Sequence, residues 1–532
     1  MIPMKRSSLV LVATAATAVA LAGCAASGTG GGSTASSEYA DGKTFTMTMV
    51  ADPGALDPQL SAVSALFQLT QFAYDNLVAV DENGEIQSQL ATDWSVDGTT
   101  VTFTIGDGIT CSDGSDFTAQ TAADNIMWIA DPENASPFLG SYMPVVSDAT
   151  ADGSTLTVTL AAPAPFALQG FANVPMVCDA GLADRSQLAD TTIGTGPYVL
   201  TEAVSGDHYT YELNEDYAWG PGGATADEKG LPATVVARII PNETTSANLL
   251  MSGEVNAAQI VGPDAQRLEA AKLFSVGIEA LLGEQWYNQG EGHVTSDPAV
   301  RMALTQALDI AELQKVVTSN AGAPAKRLTV IPPSACTYDS VSGNVPATDI
   351  EGAKAALDEA GWAPGADGVR EKDGQKLAVT FLYANTLGTG GTAGAELATQ
   401  AWEAIGVQVD AAQNDSTTIT GALFGTGAWD VAWVPLNVSN PDQVVGFVSG
   451  PAAPEGTNFA GIQNADYDEG VAEAMQIQGT DGCDTWAEAE AALFQAADVV
   501  PFANSVVPTF GKGAEFEMTG QIIPTSIRML AE

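Results

Sequence analysis

The chain has 532 residues, and 65 Asp and Glu residues against 18 Lys and Arg residues give it a formal net charge of −47. A charge of this sign and size repels nucleic acid and anionic lipid surfaces, so we expect no nucleic-acid partner. The chain is also too long for one ordinary hydrophobic core, and two or three lobes are expected.

The N-terminal region resembles a bacterial lipoprotein signal. Two basic residues precede a mostly apolar stretch at 9–22, which is too short to span a bilayer and ends in Leu-Ala-Gly-Cys. The resemblance implies that residues 1–23 are removed and that Cys24 carries the lipid. A plain signal peptide, with Cys24 incidental, is the alternative. Residues 24–42 are rich in Gly, Ser, Thr and Ala and predict a flexible tether.

Strands are predicted along much of the chain from their hydrophobic pattern. Alternation of apolar and polar residues is typical of a half-buried strand, and a short continuous apolar run is typical of a more buried one. The predicted strands are residues 44–50, 100–105, 155–160, 235–240 and 377–383. Asp-Gly turns precede the second and third of them.

Helices are predicted mainly in the second half, where capping signals are clear. Asp297 is a good N-cap, and Pro298 suits the first helical position after it. The other predicted helices are residues 350–360, 393–405 and 485–499, the last of them ended by Pro501. The alternation of helices and strands indicates α/β lobes.

Motifs of catalysis and metal binding are missing from the sequence. HExxH, GxSxG, SxxK and CxxC do not occur, and the two histidines, His208 and His293, have no partner at ligand spacing. We therefore expect no enzyme activity, no cofactor and no metal site. A hydrolase of cell-wall or carbohydrate material is the weaker alternative.

Several short segments follow one another in a recognisable order. They are Leu56-Asp57-Pro58, Tyr74 to Leu77 with Leu90 to Trp94, Thr100 to Gly114, Phe117 to Asp124, Gly194 to Tyr198, Leu213 to Tyr217, Val300 to Leu304 with Ala307 to Asp309, Ala353 to Trp362, and Trp402 to Val407. Together they resemble the bacterial extracellular solute-binding proteins of family 5, which serve peptide and nickel ABC importers.

The resemblance implies the fold. It is an α/β, two-lobed fold of the periplasmic-binding-protein type (type II), with an extra subdomain in lobe I and a hinge between the lobes. Carried onto this chain, lobe I is residues 43–282 plus 497–532, the extra subdomain is about 76–192, and lobe II is 283–496. Solute would bind in the cleft, and the lobes would close over it.

Four cysteines remain if Cys24 carries a lipid. In an exported chain they suggest two disulfides, with three possible connectivities, while buried free thiols are the alternative. Because the implied lobe bounds place each pair within one lobe, we favour Cys111 with Cys178 and Cys336 with Cys483.

The ligand-binding prediction centres on residues 430–442, which the resemblance places in the cleft. Trp433 is either a platform for the ligand or a core residue. Where peptide-binding relatives have an acidic residue that pairs with the α-amino group, this chain has Leu436 or Asn437. Asn437 could instead bond a neutral amide or hydroxyl, or a carboxylate from another loop takes over.

The other candidates for ligand binding rest on position within the family. They are Ser61, Phe138, Tyr142, Trp286 and Tyr383. For each of them, packing or surface exposure is the competing interpretation.

The resemblance implies a substrate-binding lipoprotein of an ABC importer. It would be a monomer, held by its N-terminal lipid at the extracytoplasmic face of the cell membrane, and would deliver a peptide or peptide-like solute to permease subunits. A non-peptide solute (an oligosaccharide, an opine or a metal chelate) is one alternative. A surface receptor for a signalling peptide is another.

Overall fold

The computed structural model describes residues 39–61, 63–140 and 142–531. The predicted signal peptide, Cys24 and most of the predicted tether lie outside the described residues. Among those described, no helix combines the length and apolarity needed to cross a membrane.

The strands and helices alternate along the chain. The strands are β1 Thr44–Met49, β2 Val78–Val80, β3 Ile86–Ser88, β4 Ala91–Asp97, β5 Thr100–Ile105, β6 Val146–Asp152, β7 Thr155–Leu160, β8 Tyr198–Val204, β9 His208–Leu213, β10 Thr234–Ile239, β11 Ala257–Gln259, β12 Phe274–Tyr287, β13 Ala363–Pro364, β14 Arg370–Lys372, β15 Gln375–Lys376, β16 Ala378–Ala384, β17 Gln408–Asn414, β18 Val431–Trp433, β19 Val499–Gly511, β20 Ala514–Glu515, β21 Met518–Thr519, β22 Gln521–Ile522 and β23 Arg528–Met529.

The helices are α1 Ser64–Ala73, α2 Ala119–Ala130, α3 Ala167–Phe171, α4 Asp179–Ala183, α5 Glu243–Ser252, α6 Asp264–Ala270, α7 Pro298–Gln306, α8 Ile310–Val317, α9 Ile350–Glu359, α10 Gly388–Ala404, α11 Ser416–Gly421, α12 Val445–Val448, α13 Ala465–Ala474 and α14 Cys483–Gln495. One π-helical turn, Ala422–Thr426, follows α11.

A ten-stranded sheet runs through both lobes in the order β17-β16-β18-β12-β19-β11-β1-β10-β9-β8. β12 and β19 are antiparallel and pair from Phe274 with Gly511 to Trp286 with Val499. They cross from one lobe to the other. A separate four-stranded sheet, β4-β5-β7-β6, forms the extra subdomain.

Two large hydrophobic cores lie on either side of the crossing. One joins the subdomain, α1, β1 and β10 to the C-terminal residues 514–529. The other runs from Trp286 to Ala503 and packs α7 to α10 and α14 around β16 and β18. The predicted α/β, two-lobed fold is thus confirmed, while the division of the chain at 282/283 and 496/497 stays a prediction.

The motif residues near position 75 meet around one buried carboxylate. Asp75 accepts hydrogen bonds from the hydroxyls of Tyr217 (2.8 Å) and Thr195 (2.9 Å), the indole of Trp219 (3.0 Å) and the amide of Gln89 (2.7 Å). Burial raises the pKa of Asp75 to about 6, although the four donors oppose that rise. The carboxylate therefore links the segment after α1 to the segment before β8 and to the segment after β9.

The subdomain also touches lobe II. The Gly479 N–H donates to the Pro165 carbonyl (2.8 Å), and the ring of Phe166 packs against Trp486 at 6.1 Å. This contact lies beside the disulfide between Cys336 and Cys483, because Cys336 belongs to the same small apolar cluster as Phe166 and Trp486. The lobes therefore meet away from the strands that join them.

Two disulfides are present in the described structure. They join Cys111 to Cys178 across a sequence separation of 67, and Cys336 to Cys483 across a separation of 147. These are the pairs favoured from the sequence, and each lies within one predicted lobe. The hinge between the lobes is therefore not restrained by either bond.

We expect non-reducing peptide mapping of the purified protein to recover these two linked pairs. Each Cα–Cα separation, 6.3 Å and 5.4 Å, is within the normal disulfide range. Reduction should release four separate cysteine peptides. A peptide linking Cys111 to Cys336 would contradict both the pairing and the predicted lobe bounds.

Candidate functional site

Three neighbouring cavities lie along the carboxyl ends of parallel strands. Cavity A, of about 310 Å³, is in lobe I beyond β1 and β11, and cavity C, of about 250 Å³, is in lobe II beyond β16 and β18. Cavity B, of about 650 Å³, lies between the lobes. In open α/β sheets, ligands bind in the crevice outside the carboxyl ends of the strands.

The three cavities adjoin one another. Cavities A and B share Ile278 and Gly520, which come from β12 and the C-terminal segment. The consecutive residues Leu436 and Asn437 line cavities C and B, respectively. A solute in cavity B could therefore extend in either direction.

Both lobes contribute to the wall of cavity B. From lobe I come one face of α1, part of the subdomain and residues 519–521. From lobe II come residues 331–333 and 437–440 together with Gln443. A change in the angle between the lobes would therefore change the size of this cavity.

The cleft loop, residues 434–437, is fixed by β12. The Leu436 N–H donates to the Glu284 carboxyl (2.7 Å), and the indole N–H of Trp286 donates to the Val434 carbonyl (2.9 Å). Glu284 is fully buried, and this burial raises its pKa to about 8. Its Oε1 has no hydrogen-bond partner among the described residues.

Asn437 is exposed at the end of this loop. Its side-chain N–H donates to the Leu281 carbonyl (3.3 Å), while its Oδ1 accepts no hydrogen bond from the described part of the chain. The loop then turns into a short helical segment, because Gln443 Oε1 accepts from the N–H groups of Ser439 (2.9 Å) and Asn440 (3.0 Å). The Asn437 Oδ1 is thus held in place and available to a solute.

Two asparagines on the lobe I side are held in a similar way. Asn76 donates to the Ala172 carbonyl (2.7 Å), and Asn173 donates to the Gln169 carbonyl (2.8 Å). Both line cavity B. Neither Oδ1 has a hydrogen-bond partner within the described ranges, so each can accept a bond from a ligand N–H or O–H.

Aromatic rings form part of the same wall. Phe67 and Tyr142 line cavity B and pack edge to face at 5.5 Å. Phe138 lies behind them, 5.3 Å from Tyr142 and 6.0 Å from Phe67, and is fully buried. The buried ring fixes the two that face the cavity.

The walls of cavities A, B and C carry no charged side chain among the residues the structure describes. Asp442 belongs to the same loop but is outside these walls. Its carboxyl group is desolvated by burial, which raises its pKa to about 6. None of the described residues in these walls therefore supplies a carboxylate in place of the acidic residue that the sequence lacks at Asn437.

The structure brings together only some of the residues predicted to bind ligand. Asn437 and Tyr142 line cavity B. Ser61 is half-buried and lies outside the walls of the three cavities, whereas Ser64, the first residue of α1, lines both A and B. A direct role in binding stays a prediction for Asn437 and Tyr142.

The two tryptophans are corrected from ligand contact to packing. Trp286 and Trp433 are fully buried in the core of lobe II. The Trp433 indole donates to the Gln285 side chain (2.9 Å), and its ring packs against Phe381 (4.9 Å) and Phe502 (5.0 Å). Since the polar atom is satisfied and the ring is enclosed, Trp433 supports the cleft loop from behind.

Phe138 and Tyr383 are corrected in the same way. Phe138 is enclosed behind Phe67 and Tyr142, as described above. Tyr383 is 8% exposed and stacks beside Phe381 at 5.6 Å. Both contribute to cores that shape the cleft and neither lines it.

Each of the two histidines has a carboxylate neighbour. His208 Nδ1 lies 2.8 Å from Asp207, and its neighbouring carboxylates raise its pKa. His293 Nδ1 lies 2.9 Å from Asp430. In the described ranges, no group of three or more His, Cys, Asp or Glu residues is arranged to hold a metal ion.

Most of the wall of cavity B could not be recognised from the sequence. Asn76, Asn173, residues 331–333 and residues 519–521 are far apart in the chain and belong to no recognised binding motif. Only the fold places them together.

Comparison with known proteins places residues 85–450 within the family described as bacterial extracellular solute-binding proteins, family 5 (middle region). Protein XP55 of Streptomyces lividans is 30% identical over 329 residues, which are 58% of this chain and 56% of that protein. The nickel-binding periplasmic protein of Escherichia coli K12 is 25% identical over 356 residues, 63% of this chain and 64% of that protein. The chain thus spans less than two thirds of either relative.

Solved structures share the fold. The unliganded, open form of the murein tripeptide-binding protein MppA superimposes with a TM-score of 0.76 at 19% identity, covering 94% of this chain and 99% of that one. HbpA2 of Haemophilus parasuis gives a TM-score of 0.75 at 18% identity, covering 92% of this chain and 100% of that one. At these identities the likeness concerns the fold alone.

Proposed function

Because this chain belongs to family 5 of the bacterial extracellular solute-binding proteins, we propose that it is the substrate-binding component of an ABC importer. It captures a peptide or peptide-like solute between its lobes and delivers it to the permease subunits. The observation that carries the proposal is cavity B, whose walls come from both lobes. Closure of the lobes would therefore enclose the solute.

The crossing strands provide a place for that movement. The pairing of β12 with β19 shifts register on both sides of Gly283. A Cβ atom at Gly283 would lie 2.2 Å from the ring of Phe502, so only glycine fits there. Irregularities of this kind bend a strand locally. We place the hinge at this irregularity, next to Glu284 and the cleft loop.

The proposal extends to the cell surface. Cleavage before Cys24, lipidation of Cys24 and the tether at 24–42 would hold a monomeric body at the extracytoplasmic face of the membrane. The lipid is then the chain's membrane contact, and the permease is its protein partner. The chain would act by binding alone, so we expect the bound solute to be recovered unchanged.

A non-peptide solute is the second candidate. The uncharged wall around Asn437 favours it, because it lacks a carboxylate to pair with a peptide's α-amino group. Neutral oligosaccharides would satisfy the same amide groups. The binding experiment below includes them for this reason.

We expect a solute from a panel of di- to pentapeptides and neutral oligosaccharides to raise the unfolding temperature of the purified protein. A ligand at 100 times its Kd stabilises the native state by about 2.7 kcal/mol, which corresponds to roughly 2 °C for a chain of this size. Asn437→Trp should abolish the shift by placing an indole ring in cavity B, where the solute would lie. The measurement is thermal unfolding with and without each compound.

The control is Asn385→Trp. Asn385 is exposed, lies in lobe II and is outside the walls of cavities A, B and C. This variant should keep the full ligand shift. An equal shift in both variants would show that the solute binds elsewhere, and conversion of the solute to a product would refute the non-catalytic role.

A further inference from the structure

The walls of cavities A, B and C differ sharply from the rest of the chain. Charged residues make up 16% of the sequence, and its net charge is −47. Yet every wall residue the structure describes in these cavities is uncharged. An ammonium or carboxylate group enclosed there would lose its hydration without gaining a counter-ion, and such burial is costly.

Carboxamides replace charges in cavity B. Its wall includes Asn76, Asn173 and Asn437, whose Oδ1 atoms accept no hydrogen bond within the described residues, and also Gln71 and Gln521. A carboxamide both donates and accepts, and so do the peptide groups of a ligand. The wall is therefore complementary to a neutral chain of amide groups.

Cavity C supplies an apolar compartment at one end. Its wall is built mainly from aliphatic and aromatic side chains, among them Ile419, Leu423, Phe424, Leu436 and Phe459. Its volume of about 250 Å³ accommodates one large apolar side chain. Oligosaccharides carry no such group, so this compartment distinguishes the two kinds of neutral solute.

The two compartments are joined by the cleft loop. Leu436 faces cavity C and the next residue, Asn437, faces cavity B. Because Glu284 and Trp286 fix this loop, the spacing between the compartments is fixed as well. A solute that extends across the loop would place polar groups on one side and an apolar group on the other.

We propose that the cleft selects an uncharged, amide-containing solute with an apolar side group, as in a peptide with blocked ends, and discriminates against zwitterionic peptides. The amide groups lie in cavity B, and the apolar group lies in cavity C. This inference rests on the proposed function and names the solute class for the same site.

Titration calorimetry on the purified protein tests the inference with three probes. They are an acetylated and amidated tetrapeptide containing one phenylalanine, the same tetrapeptide with free ends, and a neutral tetrasaccharide. We expect the blocked peptide to bind at least tenfold more tightly than the other two. Equal or tighter binding of the free peptide, or of the sugar, would overturn the inference.

Asn437→Asp provides the matched variant, since it restores a carboxylate without changing the side-chain size. We expect it to bind the free peptide about tenfold more tightly than the wild type does and the blocked peptide more weakly. Asn385→Asp adds the same charge outside the cavities and should change neither affinity. An unchanged order of preference in Asn437→Asp would contradict the inference that the uncharged wall of cavity B sets the preference for a blocked peptide.

Leu423→Trp tests the apolar compartment by narrowing cavity C. We expect it to weaken binding of the phenylalanine-containing blocked peptide about tenfold and to spare an all-alanine blocked peptide.

If the free peptide binds best and Asn437→Trp abolishes that binding, the proposed function stands and the inference about charge fails. If Asn437→Trp leaves every affinity unchanged, the proposed binding site itself fails.

Discussion

Replacing Asp498 with alanine is expected to lower the free energy of unfolding by about 3–5 kcal/mol, because it leaves a buried cation without its partner. Asp498 is almost fully buried and accepts hydrogen bonds from Arg301 (3.0 Å), Gln289 (2.9 Å) and Asn464 (2.8 Å). Burial lowers the pKa of Arg301, and Asp498 opposes that effect. Urea unfolding followed by tryptophan fluorescence measures the loss.

The control is an exposed ion pair. Lys354 and Glu351 lie one helical turn apart on α9 at 3.0 Å, with Glu351 largely in solvent. Glu351→Ala should cost less than about 0.5 kcal/mol. The double variant Arg301→Met with Asp498→Leu should recover much of the stability lost in Asp498→Ala. If Asp498→Ala is as stable as the wild type, the ion pair between Arg301 and Asp498 does not stabilise this core.

The Asp498 carboxylate shows that this part of the core depends on a contact that the sequence does not reveal. Arg301 lies on α7, within a motif that carried the family resemblance, and Asp498 precedes β19. They are 197 positions apart. The implied bounds put Arg301 in lobe II and Asp498 in lobe I, and the pairing of the two charges is visible only in three dimensions.

Local patterns predicted strands well where alternation was strict. The bounds of β5 and β7 agree with the predicted 100–105 and 155–160, and their buried residues alternate as expected. Both strands lie in the same subdomain sheet and are bounded by short turns. In such segments the local pattern and the final burial agree, so a sequence suffices.

Helix ends were predicted less well, for identifiable reasons. The helix predicted for 485–499 ends at Gln495, and Pro501 lies within β19 instead of ending the helix. Ala497 takes a φ of 51° and turns the chain into the strand. Nothing in an Ala-rich sequence signals that turn, and the buried strand after it decides where the helix stops.

The start of α10 shows the opposite error. The prediction began at residue 393, but α10 starts at Gly388 in a run of glycines that are poor helix formers. A Cβ atom at Gly390 would lie 2.2 Å from the Val317 carbonyl. The close approach of α8 to α10 therefore requires glycine there, and tertiary packing stabilises a turn that propensity disfavours.

Part of the predicted cleft segment, residues 437–440, lines cavity B, but the composition of the rest of the wall was not predicted. The family resemblance pointed to residues 430–442, and the substitution at Asn437 suggested a neutral contact. The tryptophans were assigned to the ligand wrongly, because a tryptophan on a strand near the cleft looks the same in the sequence whether its ring faces the cleft or the core. Trp433 lies on a strand of only three described residues, all buried, so alternation could not reveal which way it faces.

Glu284 should make the protein less stable as the pH rises from about 5 to 8. Burial raises its folded-state pKa from 4.5 to about 8, so the folded chain keeps a proton that the unfolded chain releases. Between these values the native state binds more protons, and stability falls with pH by up to about 1.4 kcal/mol per unit. The stability that the protonated Glu284 contributes is fully present below pH 4.5 and is lost as the pH rises towards 8. The total loss between pH 5 and 8 is of the order of 3 kcal/mol.

Glu284→Gln tests this directly, because glutamine has the same shape and cannot ionise. Urea unfolding at pH 5 and pH 8 should show a smaller loss of stability in the variant than in the wild type. Glu490, whose pKa burial raises to about 7, and Asp75 and Asp442, each raised to about 6, remain in both proteins and cancel in the comparison. Glu351→Gln, at an exposed site, should behave as the wild type does.

The location of Glu284 links this pH dependence to binding. Its carboxyl group accepts a hydrogen bond from the N–H of Leu436, the residue before Asn437. Glu284 also lies beside the irregular strand pairing at Gly283. A charge formed there above pH 8 would be buried, without a cationic partner among the described residues, in the strand that joins the lobes. Local opening of the cleft loop is the simplest way to hydrate it, so solute affinity should fall over the same range in the wild type. An equal fall in Glu284→Gln would place the titrating group elsewhere.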